Sequence, residues 1–237
     1  MPSKLLQTLL NQEFGSSLVC DGVVGPKTLA ALDVLNRAQY DLLEVMLSMK
    51  GVDMAAALTG DKSFRVPDYT HLTIQDCNEL VEKACKLVGF SDDIAPVFQD
   101  FLRMEATQRE VNGVPCYYVL SRSEAGARGL MQMQTGAWVD ARKTMLAKDE
   151  SLDIGEYEAN VYFPGRNIVA GLAYAMIGVK LLRAAGMPVN RETLYLCHNQ
   201  GPYIWERDKY GKFKGPKAKN LVKQSREAKA LAKKYFG

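Results

Sequence analysis

One glutamate, Glu105, has neighbours in the sequence that favour a role as a catalytic acid. Glu105 lies at the predicted end of a helix and follows Phe101, Leu102 and Met104. Cleavage of a glycosidic bond needs a proton on the leaving oxygen, and a carboxyl group supplies it near neutral pH only if burial keeps it protonated. The apolar residues before Glu105 can form such an environment.

A second catalytic carboxylate is not clearly offered. Hydrolases that use two carboxylates need the second about 5 to 9.5 Å from the first, as nucleophile or base. Glu124 and Asp140 are the nearest candidates for this role. A mechanism with a single acid fits these residues better.

A glycine-rich run follows at residues 123–132 (Ser-Glu-Ala-Gly-Ala-Arg-Gly-Leu-Met-Gln). Gly126 and Gly129 allow tight turns and a close approach of the backbone to a sugar. Ser123 can hydrogen-bond Glu105, and Gln132 can hydrogen-bond an N-acetyl group. The alternative is an ordinary loop with a helix cap.

Four fragments, in this order and spacing, resemble the lytic transglycosylases, enzymes that cleave peptidoglycan. They are residues 105–107 (Glu-Ala-Thr), 123–132, 167–174 (Asn-Ile-Val-Ala-Gly-Leu-Ala-Tyr) and 198–201 (His-Asn-Gln-Gly). The resemblance covers about residues 95–201 and implies a mainly α, lysozyme-like fold, with Glu105 as the catalytic acid facing a glycan groove. Ala106 stands where the family usually has serine, and neither Glu124 nor Asp140 matches a catalytic position.

The resemblance also implies a mechanism. Glu105 protonates the bridging oxygen and then acts as base while the 6-hydroxyl of the muramic acid attacks, giving a 1,6-anhydro product. No metal or other cofactor is implied. The implied substrate-binding residues are Ser123, Gly129, Met131, Gln132, Tyr174, His198 and Asn199.

Two of these residues also have structural interpretations. His198 replaces a family tyrosine whose hydroxyl points at the catalytic centre; an imidazole can hydrogen-bond there and titrates near neutral pH. A lone histidine is nevertheless often structural. Tyr174 lies on an apolar helix, where a tyrosine is equally at home in the core.

A narrower resemblance concerns residues 21–32 (Asp-Gly-Val-Val-Gly-Pro-Lys-Thr-Leu-Ala-Ala-Leu). They are similar to the Asp-Gly-x-x-Gly-x-x-Thr signature of small helical peptidoglycan-binding modules. The match is about one repeat long. A helical hairpin packed against the rest of the chain is the alternative.

Over nearly its whole length the chain resembles the lytic proteins of enveloped double-stranded RNA bacteriophages, the cystoviruses. The similarity uses the N-terminal element, the Gly-Leu-x-Gln turn, and residues 195–201 and 223–228. It implies a virion enzyme between nucleocapsid and envelope, made in the host cytoplasm and acting in the periplasm on host peptidoglycan. Nucleocapsid and envelope proteins are the other candidate partners.

Two other functions stay open. Lysins of that group have been regarded as endopeptidases that cut the peptide cross-bridge. His71 and His198 are the only histidines and no HExxH motif exists, so a metallopeptidase is disfavoured. A Cys/His peptidase that uses Cys116 and His198 is the other form this activity could take. The second alternative is a non-catalytic, wall-binding virion protein.

Composition describes a folded chain with uneven charge. The 237 residues are 47% apolar and 24% charged, as in average globular proteins. From position 209 onward ten Lys or Arg face one acid, a balance of +9, while positions 1–208 carry −6. We expect this basic tail to favour anionic surfaces, although a solvated helix face is the alternative.

Cysteines and hydropathy bear on location. Five cysteines at irregular spacing predict free buried thiols and a reducing cytoplasm at synthesis; Cys77 and Cys85, about 12 Å apart along a helix, are beyond disulfide reach. The apolar run 168–179 is too short to span a bilayer, so no transmembrane segment is expected. Residues 1–14 do not form a signal peptide.

Apolar spacing predicts mainly helices. The predicted helices include residues 29–49, 73–88, 92–109, 135–148, 167–185, 191–198 and 216–235, with an extended segment or hairpin at 114–120. The predicted organisation is an N-terminal helical element at 1–60, a linker at 61–72, a lysozyme-like domain at 73–208 and a basic C-terminal helix at 209–237.

Overall fold

The computed structural model describes residues 2–35, 37–48, 52, 54–57, 71–150, 152–217 and 226–236. It is mainly helical, as predicted, with one small antiparallel sheet. The helices are α1 (Pro2–Phe14), α2 (Pro26–Asp33), α3 (Arg37–Ser48), α4 (Met54–Ala57), α5 (Ile74–Val88), α6 (Ala95–Glu105), α7 (Thr135–Lys148), α8 (Tyr157–Asn160), α9 (Pro164–Ala184), α10 (Arg191–Gln200) and α11 (Arg226–Phe236). Short 3₁₀ turns cover Asp92–Ile94 and Pro202–Trp205.

Two compact units make up the chain, unit 1 (residues 1–170) and unit 2 (residues 171–237). The boundary falls inside α9. Most of the linker predicted at 61–72 lies outside the described residues, and its last two residues, His71 and Leu72, belong to strand β1 (His71–Thr73).

The N-terminal helices of unit 1 share an apolar cluster. Leu6 and Leu10 of α1 are fully buried with Leu32 of α2 and Leu43 of α3. The helix predicted at 29–49 is wrong as a continuous element: α2 ends at Asp33 and α3 begins at Arg37, because α2 and α3 pack separately against α1. Helix α3 also packs on α5, so this element is docked on the rest of unit 1.

The sheet has the order β1-β3-β2, with β2 (Gln108–Val111) and β3 (Val114–Tyr118). Asn112 and Gly113 join β2 to β3 with φ of +52° and +78°, the left-handed pair that a two-residue hairpin turn requires. The extended segment predicted at 114–120 is therefore confirmed for residues 114–118, which form half of a hairpin, whereas Val119 and Leu120 lie in a turn. The helix predicted at 92–109 ends instead at Glu105, since residues 108–111 pair with β3.

Helix α5 is delimited by its sequence. The Thr73 hydroxyl accepts a hydrogen bond from the Asp76 amide, 3.1 Å, and caps the N-terminus. Gly89, with φ of +95°, ends the helix, and the Phe90 amide returns to the Cys85 carbonyl at 2.8 Å. These caps confirm the predicted bounds within a residue.

In unit 2, α10 packs against α11. Trp205, 1% exposed, lies against the rings of Phe213 and Phe236, with centroids 5.6 and 4.8 Å away. The helix predicted at 216–235 is described only for Arg226–Phe236; positions 218–225 lie outside the described residues. Residues 209–217 are not helical, because residues 207–213 form a hairpin-like turn with an Arg207–Phe213 bridge.

Among the described residues, α9 has the length and hydropathy of a membrane span. Its apolar window is 61% buried inside the protein. Ile168, Val169 and Leu172 are fully buried. A core helix has these properties, and its burial agrees with the expectation that no segment crosses a membrane.

Candidate functional site

Glu105 is the last residue of α6, which ends four residues before the end of the helix predicted at 92–109. Phe101 and Leu102, one turn earlier, are fully buried and hold this end of the helix in the core. The Glu105 side chain is half-buried, and the buried Ala106 behind it closes the helix with an amide hydrogen bond to the Leu102 carbonyl, 2.9 Å. Glu105 therefore ends a helix whose last turn is anchored by buried apolar residues.

A short series of hydrogen bonds ties the end of α6 to the glycine-rich run. The Thr107 amide donates to the Ser121 hydroxyl at 3.3 Å, and the Ser121 carbonyl accepts from the Gly129 amide at 2.9 Å. The buried Ser121 hydroxyl donates in turn to the Tyr118 carbonyl, 2.6 Å. Two of the four sequence fragments, 105–107 and 123–132, are thus joined through one serine.

Asn167 ties the third fragment to the same loop. Its Oδ1 accepts from the Met131 amide at 2.7 Å, and its Nδ2 donates to the Val161 carbonyl at 2.8 Å. The residue is fully buried. Fragments 105–107, 123–132 and the start of 167–174 therefore meet within unit 1, which their sequence order alone did not establish.

Gly129 lies tightly against buried protein atoms. Its φ is +76°, and an added Cβ would lie 2.3 Å from Nδ2 of Asn167 and 2.6 Å from the Val161 carbonyl oxygen. The close approach that glycine permits here is to protein atoms, and the approach of the backbone to a sugar stays a prediction. The glycine is required for the Asn167 side chain to enter the loop.

Three other predicted site residues, Ser123, Met131 and Gln132, make contacts within the protein. The Ser123 hydroxyl accepts from the Ala127 amide at 3.1 Å, and the predicted hydrogen bond to Glu105 is not made in the described part of the chain. The Met131 side chain is fully buried, so it packs in the core. The half-buried Gln132, with φ of +46°, donates to the Gly129 carbonyl at 2.7 Å. These residues brace the loop.

The remaining predicted site residues belong to unit 2. Tyr174 is 8% exposed, and its hydroxyl lies 3.5 Å from where a Cβ of Gly201 would be. His198 and Asn199 are half-buried near the end of α10, and the Gln200 side-chain amide donates to Oδ1 of Asn199 at 2.6 Å. Tyr174 and the turn at 199–201 are therefore neighbours.

Other groups weighed from the sequence have clear surroundings. Glu124 is exposed on the loop, and Asp140 lies half-buried on α7. Cys116 is 5% exposed and its thiol donates to the Val114 carbonyl at 3.5 Å, an inert setting for a nucleophile. Within the described residues no group of three or more His, Cys, Asp or Glu could hold a metal ion.

The N-terminal signature is held by a buried glutamine. The Gln7 side chain donates to Oδ1 of Asp21 at 2.9 Å and to the Val23 carbonyl at 3.0 Å, and accepts from the Gly22 amide at 2.8 Å. The Val23 amide also donates to Asp21, and these bonds lower the pKa of that carboxyl. The Asp-Gly turn is thus occupied by α1, in line with the hairpin interpretation.

Sequence reasoning missed Ser121 and Asn167 as the residues that hold the site together. Ser121 lay just before the fragment that was read as a motif. Asn167 entered only as a member of its fragment. The signal that could have found it is a polar side chain at the start of a long apolar run.

Comparison with family models, curated proteins and solved structures finds no match for this chain.

Proposed function

We propose that this chain is a muralytic enzyme, of the bacteriophage lysin kind, that cleaves peptidoglycan at the glycan strand with Glu105 as its single acid and base. The observation that carries the proposal is the hydrogen-bonded link from Thr107 through Ser121 to Gly129. It fixes the glycine-rich loop beside the end of the helix that bears Glu105.

The setting of Glu105 suits this role in two ways. The side chain is half-buried, so it is in reach of a ligand while its helix end is anchored by Phe101 and Leu102. The loop that follows is braced by buried groups, chiefly Asn167 and Ser121, which limits its motion. A rigid scaffold around a single carboxyl group is what positioning for proton transfer requires.

The proposed reaction moves one proton in and one proton out. Glu105 gives its proton to the bridging oxygen as the bond from C1 to that oxygen breaks. The resulting carboxylate takes the proton of the 6-hydroxyl while the bond from C1 to O6 forms. No water is consumed, so the product is a 1,6-anhydro sugar and the enzyme returns to its starting state.

Some substrate contacts are proposed from the burial of the loop residues and others from the resemblance alone. Ser123 and Gln132 stay available at the loop surface because both are half-buried, whereas Met131 and Gly129 act through the backbone they support. Tyr174, His198 and Asn199 enter the proposal through the resemblance to the transglycosylases. The proposed location, between nucleocapsid and envelope of a virion and then in the host periplasm, rests on the same kind of argument.

Replacing Glu105 with Gln tests the proposal. The amide keeps the shape of the side chain but cannot deliver the proton, so lysis of chloroform-treated Gram-negative cells should fall at least about a hundredfold. Glu110→Gln, an exposed glutamate on β2, is the matched control and should lyse normally. Glu124→Gln should also retain activity. Lysis by E105Q at the wild-type rate would end the assignment.

The bond that is cut is identified by mass spectrometry of digested sacculi. Anhydro-muramyl ends are expected. Newly freed amino groups on intact glycan strands would instead identify an endopeptidase, and a protein that pellets with sacculi without clearing them would be a wall-binding protein.

A further inference from the structure

Unit 2 contains an open pocket of about 830 Å³ between the loop at 207–216 and helix α11. Ligand pockets commonly measure roughly 300 to 1,000 Å³. Among the described residues that line it, six are basic and none is acidic; the basic ones are Arg207, Lys212, Lys214, Lys229, Lys233 and Lys234. The rings of Phe213 and Phe236 form part of the same wall. The pocket is therefore strongly cationic and partly aromatic.

Some of these charges are already compensated and others are not. Lys214 pairs with Glu206, and Lys234 pairs with Glu192 at 2.6 Å. Lys212 and Lys233 are exposed and have no carboxylate partner in the described part of the chain. Two uncompensated ammonium groups in a concave basic site favour a ligand with more than one negative charge.

The loop that forms one side of the pocket is held in shape. Oδ1 of Asp208 accepts hydrogen bonds from the Tyr210 and Lys212 amides at 2.8 and 3.0 Å. The Arg207 guanidinium stacks over the Phe213 ring at 4.3 Å and donates to the Gly211 carbonyl. At the tip, next to the pocket-lining Gly211, the Tyr210 ring is 75% exposed. The Lys209 ammonium lies 4.9 Å from the centroid of this ring. An ordered loop thus presents an exposed aromatic ring beside cations.

A flat lipid surface suits this site poorly. The apolar face of α11 already packs against the protein, since Ala228, Leu231 and Ala232 are buried. An amphipathic helix that binds a bilayer must offer that face to the acyl chains. The remaining features, a basic groove and an exposed ring, are the two elements by which proteins hold single-stranded nucleic acid.

We propose that the basic pocket of unit 2, together with Tyr210, binds single-stranded nucleic acid. Lys212 and Lys233 contact phosphates in the pocket, and a base stacks on the Tyr210 ring. The inference is independent of the proposed enzymatic function, because binding is measured without peptidoglycan. It also gives the basic tail a specific ligand class in place of anionic surfaces in general.

The experiment is fluorescence anisotropy with the full chain and a labelled single strand of roughly 12 nucleotides, within the range of known single-strand sites. Lys212→Ala with Lys233→Ala should weaken binding, and the slope of log K against log salt should shrink by roughly 0.7 for each lost phosphate contact. Lys27→Ala with Lys143→Ala, exposed lysines of unit 1, removes the same charge and should bind as wild type.

Tyr210 separates nucleic acid from other polyanions. Tyr210→Leu should lower affinity for the oligonucleotide about five- to tenfold, and Tyr210→Phe should retain it, because stacking needs only the ring. Binding of inorganic polyphosphate should not respond to Tyr210→Leu. The proposal would be overturned if the wild type and Tyr210→Leu bound the oligonucleotide with equal affinity. It would also be overturned if replacing Lys212 and Lys233 weakened binding to phosphatidylglycerol vesicles but not to the oligonucleotide.

Discussion

The Asn167 side chain fills the space beside Gly129 that a side chain at position 129 would need: a Cβ on Gly129 would lie 2.3 Å from Nδ2 of the asparagine. The Asn167 amide uses that space to bond the Met131 amide and the Val161 carbonyl. The glycine-rich run and the long helix α9 therefore depend on each other.

Gly129→Ala should destabilise the protein more than Gly126→Ala. Both glycines have positive φ, which costs a side chain roughly 1–2 kcal/mol, but only Gly129 also overlaps buried atoms, at roughly 1–3 kcal/mol more. Gly126 has nothing within 4 Å of an added Cβ. Urea unfolding of the two variants measures the difference, and equal losses would show that the contact with Asn167 is not a constraint.

Asn167→Leu should destabilise unit 1 because it removes hydrogen bonds to three backbone groups, the Met131 amide and the Val161 and Arg128 carbonyls. The Arg128 carbonyl keeps a bond from the Met133 amide, so the other two groups lose the partner described here. Each buried group left without a partner costs roughly 1–3 kcal/mol. Asn167→Asp keeps the acceptor for Met131 and so reports the loss of the donor, together with the cost of a buried charge. Chemical denaturation of both variants is the measurement; wild-type stability in Asn167→Leu would contradict the assigned bonds.

Acid should weaken the attachment of α7 to the segment after it. The Arg142 guanidinium donates hydrogen bonds to both carboxylate oxygens of Asp153, at 2.6 and 2.7 Å. This pairing lowers the pKa of Asp153 below its ordinary 3.8. Since the folded pKa is depressed, the stabilisation is fully present above 3.8 and is lost as the pH falls through the folded value.

The melting temperature measured from about pH 6 to about pH 2 tests this linkage. Wild type should lose stability on the acid side more steeply than Asp153→Asn, which cannot lose a charge there. Glu124→Gln changes an exposed acid and should follow the wild-type curve. Parallel acid limbs for wild type and Asp153→Asn would refute the role given to the ion pair.

Only one of the five thiols should react rapidly in the folded protein. Cys20 is exposed, whereas the other cysteines are buried and none forms a disulfide. Burial raises the pKa of Cys77, and raises that of Cys197 to about 12, so their reactive thiolates are scarce. Titration with a chromogenic disulfide should count one fast thiol, none in Cys20→Ser, and five in denaturant for the wild type. A second fast thiol in the native protein would contradict this burial.

Local signals predicted much of the secondary structure. Helix α5 was predicted to within a residue because Thr73 and Gly89 are strong caps, and α7 was predicted at both ends. The strand β2 was missed although Asn112-Gly113, a strong hairpin signal, stands directly after it. The helix pattern of 92–109 was extended across a segment whose conformation is decided by pairing with β3.

The position of Glu105 at a helix end could be predicted, but its surroundings could not. The contact between Gly129 and Asn167 joins residues far apart in the chain, and no local propensity encodes it. Likewise Ser123 could reach several partners in principle, and the Ala127 amide wins because the turn at 123–127 places it there. The break between the two units inside α9 has no sequence mark, since the helix is apolar on both sides of it.

The chain has two tryptophans, and they fall one in each unit: Trp138 on α7 and Trp205 beside Phe236, both 1% exposed. Each unit therefore carries its own optical reporter of solvent entry. Exchanging either indole for phenylalanine leaves a single tryptophan, which can be excited apart from the eleven tyrosines, so the melting of each half can be followed by itself in the intact molecule.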